Sequence, residues 1–239
     1  MSNTTLKSEK IIKTVRLLKV RIEERFPDSS LANVCGDLKE IAKDSDNQII
    51  KISKTNIWYR LSVFIFVGFV LSYSAYWLSE FGINYKEFSV PEMLELLNTL
   101  MNIFVLVAGA IISLVSIENR IKRNRVIRAI NVLRSLAHVI DSHQLTKDPC
   151  YMTKKFILTE HSPKRTMNSF ELFRYLNYCT EMLSIISKIA FLYVQDYHDD
   201  RATKAVKDLE DLTNGLSRKI WQKIMHIDKE KGICAFGQS

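Results

Sequence analysis

Apolar positions recur along this chain in two rhythms. In the first, Ile11, Ile12, Val15, Leu18 and Ile22 return at steps of one to four residues, which predicts an amphipathic helix that stops before Pro27. Leu31, Val34, Leu38 and Ile41 begin another after the capping signal Asp28-Ser29-Ser30. In the second rhythm the polar positions disappear. Leu61–Ser79 (LSVFIFVGFVLSYSAYWLS) is nineteen residues without a charge, and Leu96–Ile117 (LLNTLMNIFVLVAGAIISLVSI) is twenty-two more. A hydrocarbon core of about 30 Å takes roughly 20 helical residues, so each stretch is long enough to span a bilayer. Tyr73, Tyr76 and Trp77 close the first with the amphipathic rings that a membrane interface favours. The competing reading is a pair of buried core helices. It is the weaker one, because a core helix of a small domain seldom runs so far without a charge on its outer face.

From Ala110 to Lys147 there is no Gly or Pro, which predicts that the second span continues out of the membrane through IENRIKRNRVIRAINVLRSLAHVIDSH as one continuous rod. Gln144–Thr166 contains Pro149 and Pro163 and is expected to be an irregular or strand-containing insertion. Asn168 to Tyr197 and Asp200 to His226 then read as two long antiparallel helices, broken at Tyr197-His198-Asp199-Asp200 and ended by the polar Lys229–Gly232. The expected fold is all-α: a membrane protein with a two-helix transmembrane hairpin and a helical cytosolic domain. Residues 1–56 are N-terminal cytosolic helices. Residues 57–117 are the hairpin, with spans at 61–79 and 96–117 and a short external loop at 80–95. Residues 118–239 are the C-terminal cytosolic domain.

Composition alone hides this division, since 47% hydrophobic and 25% charged residues are ordinary soluble values. Seven Gly and four Pro leave little room for a turn-rich β architecture. Charge is more telling: residues 1–60 carry +4, residues 61–117 carry −3 and residues 118–239 carry +7 of the total +8. Lys51, Lys54 and Arg60 flank the first span, and Arg120, Lys122, Arg123, Arg125 and Arg128 flank the second, while the connection between spans holds one Lys86. The positive-inside rule therefore places both termini of a multi-pass protein in the cytoplasm. Met1–Lys10 is too polar for a signal peptide. Cys35, Cys150, Cys179 and Cys234 form no C-x-x-C pair and read as reduced thiols.

Motifs of enzymatic chemistry do not occur. G-x-x-x-x-G-K-[ST], G-x-G-x-x-G, H-E-x-x-H and G-x-S-x-G are all missing, so no enzyme, cofactor or metal is expected. His138, Asp141 and His143 form the one dense polar cluster, open to reading as ligands or an acid–base pair. They fit better as the capped end of a helix. Arg120, Arg123, Arg128 and Arg134 suit either anionic lipid head groups or, in a symmetric assembly, a nucleotide or oligonucleotide phosphate, with Phe170, Phe173, Tyr175 and Tyr178 near in sequence for stacking. The second span carries a sharper signal. Asn98, Asn102, Val105, Gly109, Ile112, Ser113, Ser116 and Arg120 fall within about 100° of helical arc. That sector holds four of the span's five uncharged polar residues. Lipid cannot satisfy such a face, so it lines a pore or forms a small-residue packing seam. Either way a homo-oligomer is implied, and Gly68 with Ser72 on the first span supplies a small-x-x-x-small face for it.

The segments LRSLAHVIDSHQLTKDP (Leu133–Pro149) and FRYLNYCTEMLSIISKIAFLYVQD followed by DLEDLTNGLSRKIWQKI (Phe173–Ile224) resemble an uncharacterised family of bacterial two-transmembrane-helix proteins over about half the chain. Bacterial two-span proteins with a helical cytosolic domain often belong to anti-phage systems of the Hailong, retron or CBASS type. There a nucleotidyltransferase-type partner makes a nucleotide signal that controls a membrane-permeabilising effector. The resemblance carries over no binding residue. It implies an oligomeric pore-forming or membrane-disrupting effector; the alternative is a non-conducting anchor or scaffold whose LSRKIWQKI helix binds a protein partner.

Overall fold

In the computed structural model, residues 5–53, 57–80, 90–147 and 167–231 are described, with positions 149, 160 and 161. Every described element is a helix: α1 (Ser8–Arg25), α2 (Ser30–Ser53), α3 (Ile57–Glu80), α4 (Val90–Leu145), α5 (Ser169–Leu192) and α6 (Asp200–Lys231). The chain divides into two compact units, one of residues 1–53 and 125–239 and one of residues 54–124. The two segments expected to be separate cytosolic domains thus belong to one unit.

In that first unit, α1 buries Ile11, Val15, Leu18 and Ile22, a four-three-four spacing that keeps one face inward. The chain turns at Asp28, whose φ of 55° lies in the left-handed region that Asp tolerates better than most residues. Ser29 then caps α2, its hydroxyl accepting from the Ala32 amide at 3.2 Å. The central helix is α5, opened by a capping box in which Asn168 and Glu171 answer each other's backbone amides at 2.8 Å. It buries residues on several sides, Leu176, Met182, Leu183, Ile186 and Ile189 among them, because it packs against α1, α2 and α6. Asp199 caps α6, which presents Ala202, Val206, Leu209, Leu216, Ile220, Ile224 and Ile227 as one inward stripe. The C-terminal part of α4 adds Val126, Ile130, Leu133, Ala137 and Ile140, all buried.

The second unit holds α3 and the N-terminal part of α4. Met93–Leu145 is long and apolar enough to cross a membrane, and its most apolar window is 0% buried inside the chain. The described apolar stretch of α3, Leu61–Tyr76, is shorter than that criterion, since the side chains of Trp77 and Leu78 lie outside the described residues. The first expected span is therefore met as an apolar helix and falls short as a described span. Of the connection at 80–95, residues 81–89 are outside the described residues.

Two further expectations change. The helix leaving the apolar stretch is a single element through Leu145, so any irregular segment begins after Gln144 rather than at it. Most of the expected insertion, residues 148, 150–159 and 162–166, is outside the described residues. The break between α5 and α6 begins at Tyr193, several residues earlier than the Tyr197 expected from polarity alone. Tyr193 is itself buried and donates to Gln48 at 3.2 Å, while its backbone N–H still bonds the carbonyls of Ala190 and Phe191.

Candidate functional site

The polar face of α4 is entirely uncovered: Asn98, Asn102, Val105, Gly109, Ile112, Ser113, Ser116 and Arg120 are all exposed. Half-buried positions on the same stretch are Leu96, Ile103, Val107, Ala108, Ala110 and Leu114. At about 100° per residue all but Ala108 lie roughly 110–170° from the centre of the polar face, on the other side of the helix, and Ala108 lies about 90° from it. On α3 the half-buried stripe is Val63, Val67, Val70 and Ser74, while Gly68 and Ser72 are exposed on the opposite side. A Cβ added at Gly68 or at Gly109 would meet nothing within 4 Å. Neither glycine is a close-packing point within one chain, so any small-residue seam they form joins different molecules. Where the apolar stretch ends, Glu118 is neutralised by Lys122 at 3.0 Å with both side chains largely covered.

By the roughly 100° step of an α-helix, Arg120, Arg123 and Arg134 fall within about 60° of arc, Arg128 lies about 80° from Arg120, and Arg125 and Lys122 lie on the far side. Arg120, Arg125 and Arg128 are exposed, whereas Arg123 and Arg134 are half-buried. The shared face of Arg120, Arg123 and Arg134 suits either anionic head groups or a bound phosphate.

The histidine cluster comes apart. Asp141 accepts from the Gln144 amide at 2.6 Å, His143 Nδ1 lies 3.3 Å from the Ser30 hydroxyl, and His138 is exposed. Among the described residues no three His, Cys, Asp or Glu side chains are placed to hold a metal. The end of α4 is capped from a distance. Lys223 of α6 donates to the Gln144 carbonyl at 2.9 Å and to its side-chain oxygen at 2.6 Å, a cation on the negative end of the helix dipole.

A second concentration of charge lies elsewhere, and sequence spacing gave no sign of it. At the end of α1, the start of α5 and the end of α4, three cations sit over aromatic rings. Arg25 lies 5.3 Å from the Phe170 centroid, Lys147 5.6 Å from Tyr175 and Arg174 5.1 Å from Tyr178. Phe26 joins the group edge-on, 5.7 Å from Tyr175 and 6.3 Å from Tyr178. Tyr175 and Tyr178 are buried, so of the four aromatics proposed for stacking only Phe170 is exposed. Burial pushes the Tyr175 hydroxyl well above its ordinary titration range, so this ring acts as packing and not as an acid.

Other features carry less. Cys35 and Cys179 are buried, and burial pushes each thiol up to about 12, far from the low values of a reactive thiolate. A cleft of about 420 Å³ between α5 and α6 is bordered by Leu6, Ser184, Lys188, Phe191 and Glu210, with Lys188 already donating to Ser184 at 2.6 Å. No family model, curated protein or solved structure matches this chain.

Proposed function

We propose that the chain is a subunit of an oligomeric membrane effector: α3 and the apolar part of α4 cross the bilayer as a hairpin, and the helical unit of residues 1–53 and 125–239 controls a pore or lesion. The carrying observation is the disposition of α4. Its polar face is bare and lies opposite the side that the chain partly covers. Amide and hydroxyl groups cannot be left against lipid, so in a membrane this face turns to water or to other subunits. Two spans cannot enclose a pathway alone, which makes association a condition of the reading. Cytoplasmic termini, a bacterial inner-membrane location, a nucleotide-type signal and a nucleotidyltransferase-type partner belong to the same proposal, supported by the charge distribution and by the resemblance of Leu133–Pro149 and Phe173–Ile224.

The test uses single cysteines in a variant whose native cysteines are replaced. In leaking, activated membranes, Asn102→Cys and Ser113→Cys react with a charged thiol reagent, while Val107→Cys on the half-buried stripe and Phe104→Cys are protected. Equal protection of all four positions in a demonstrably leaking membrane places the pathway elsewhere. A monodisperse monomer in detergent removes the basis for a pore. The scaffold reading has one observation in its favour: Trp221 and Met225, one turn apart on α6, are 50% and 58% exposed. It predicts membranes that stay sealed at any expression level.

A further inference from the structure

We propose that the corner made by Arg25, Lys147 and Arg174 binds a phosphate-bearing anion. Lys147 and Arg174 sit on Tyr175 and Tyr178, which Phe26 joins edge-on, and Arg25, adjacent to Phe26 in the chain, sits on Phe170 one turn before Arg174. Among the described residues no carboxylate forms an ion pair with any of them. The neighbouring Arg21 shows the contrast, since it is already neutralised by Glu181 at 2.8 Å. Like charges gathered against a low-dielectric aromatic surface repel one another, and an anion seated among them reverses that cost.

The second observation is a single buried donor. Arg174 Nε is shut off from solvent and has no hydrogen-bond partner. Its Nη2 donates to the Tyr178 hydroxyl at 3.3 Å, and that hydroxyl donates to the Arg21 carbonyl at 3.4 Å. The Nε–H of this guanidinium therefore meets no acceptor. Buried donors are nearly always answered, and an orphan of this kind needs a specific explanation. Because that N–H is sealed in the free protein, the phosphate first meets the outer N–H groups of the planar fork, a turn of the guanidinium toward it brings the Nε–H to an acceptor, and the anion carries the charge that balances the neighbouring cations. A carboxylate would meet the same donors, but it brings one negative charge to three cations, and a polyphosphate answers them more fully.

Such a phosphate has two sources, a soluble nucleotide or polyphosphate and a phospholipid head group. That the occupant gates the membrane unit rests on the effector reading; the binding itself does not. The experiment therefore reads binding, and leakage is scored separately. Full-length protein in a phosphate-free detergent is titrated calorimetrically with inorganic pyrophosphate and with ATP, and in parallel is floated with phosphatidylglycerol or phosphatidylcholine vesicles. The expected result is saturable binding of pyrophosphate or ATP, weakened about tenfold or more by Arg174→Gln and by Lys147→Gln, as loss of a charge-assisted hydrogen bond requires. Lys207→Gln, an exposed change on α6, leaves it unaltered. Binding confined to phosphatidylglycerol vesicles, with the same dependence on Arg174 and Lys147, upholds the phosphate site and makes a lipid its occupant. If Arg174→Gln fails to fold, Arg25→Gln and Lys147→Gln decide the matter. No binding of any of the probes at millimolar concentration, or equal losses in Lys207→Gln and Lys147→Gln, overturns the site even where the membrane leaks normally. Normal binding in a membrane that never leaks overturns the effector reading and leaves the site standing.

Discussion

The unit of residues 1–53 and 125–239 and the unit of residues 54–124 are both built from helices rich in Leu, Ile, Val and Phe, and they dispose of them in opposite ways. In the first, Leu18, Leu133, Leu176 and Ile220 are fully buried against one another. In the second, Phe64, Phe69, Phe104 and Ile112 stand 65% or more exposed, with Phe64 and Phe104 at 73% and 71% and Ile112 at 67%. The first unit solves its exposure to water by folding. The second has an apolar surface that its own chain leaves uncovered, and apolar area of this extent marks a membrane or a partner surface. The same residue type is thus a stability determinant in one region and a solvent determinant in the other.

The largest effects that test this contrast come from truncating an apolar side chain in each unit. Leu176→Ala is expected to lower the stability of the helical unit by about 2–5 kcal/mol, read as thermal unfolding of the full chain in detergent. Phe104→Ala, at an exposed position, is expected to change it by no more than about 0.5 kcal/mol. Comparable losses at both sites would mean that the second unit has a packed core of its own after all. Next in size is the capped end of α4. Lys223→Met leaves the Gln144 carbonyl and amide oxygen without their shared donor and is expected to cost about 1–3 kcal/mol in the same measurement.

A smaller and pH-dependent effect belongs to the buried thiol of Cys179. Its folded value is raised from the ordinary 9.0 to about 12, so the folded state holds its proton where the unfolded state loses it. The thiol's contribution is complete below pH 9 and is lost as pH rises toward 12, with a slope of up to about 1.4 kcal/mol per pH unit. Stability measured from pH 8 to pH 11 should fall less steeply in Cys179→Ala than in the parent chain. An identical slope would show that the thiol is not buried in solution. The smallest effect is expected at Gly109→Ala. With open space around the new Cβ, the single chain tolerates it to within about 1 kcal/mol, with helix propensity favouring Ala. If the oligomer nevertheless dissociates in detergent, Gly109 lies in a seam between subunits. If both stability and assembly are unchanged, the residue faces water or lipid.

Much of the fold was legible in the spacing of residues. The α1 stripe of Ile11, Val15, Leu18 and Ile22, the start of α2 after Ser29, and the unbroken run of α4 all follow from periodicity, caps and the lack of Gly and Pro. The polar face of α4 was legible for the same reason, since a face of one helix is a local property. What spacing could not show was the partner of His143, 113 residues away. Asp141 and His143 looked like one cluster because they are neighbours in sequence, yet one bonds Gln144 and the other faces Ser30. Of the arginines after the apolar stretch, Arg120, Arg123 and Arg134 return to one face at the helical step, which is again a local property.

What the sequence determined by itself, then, is where helices begin, run and stop and which stretches are too apolar for water. Helical hydrogen bonds close over four residues and side chains return every 3.6, so those facts are fixed within a few turns of chain. Only the tertiary structure decided which apolar faces are covered, that Lys223 caps the end of α4 through Gln144, 79 residues earlier, and that Arg25, Lys147 and Arg174 sit on neighbouring aromatic rings. Those outcomes depend on which of several apolar faces pack together across long loops. The free energy of that choice is summed over the whole core, so no local spacing records it.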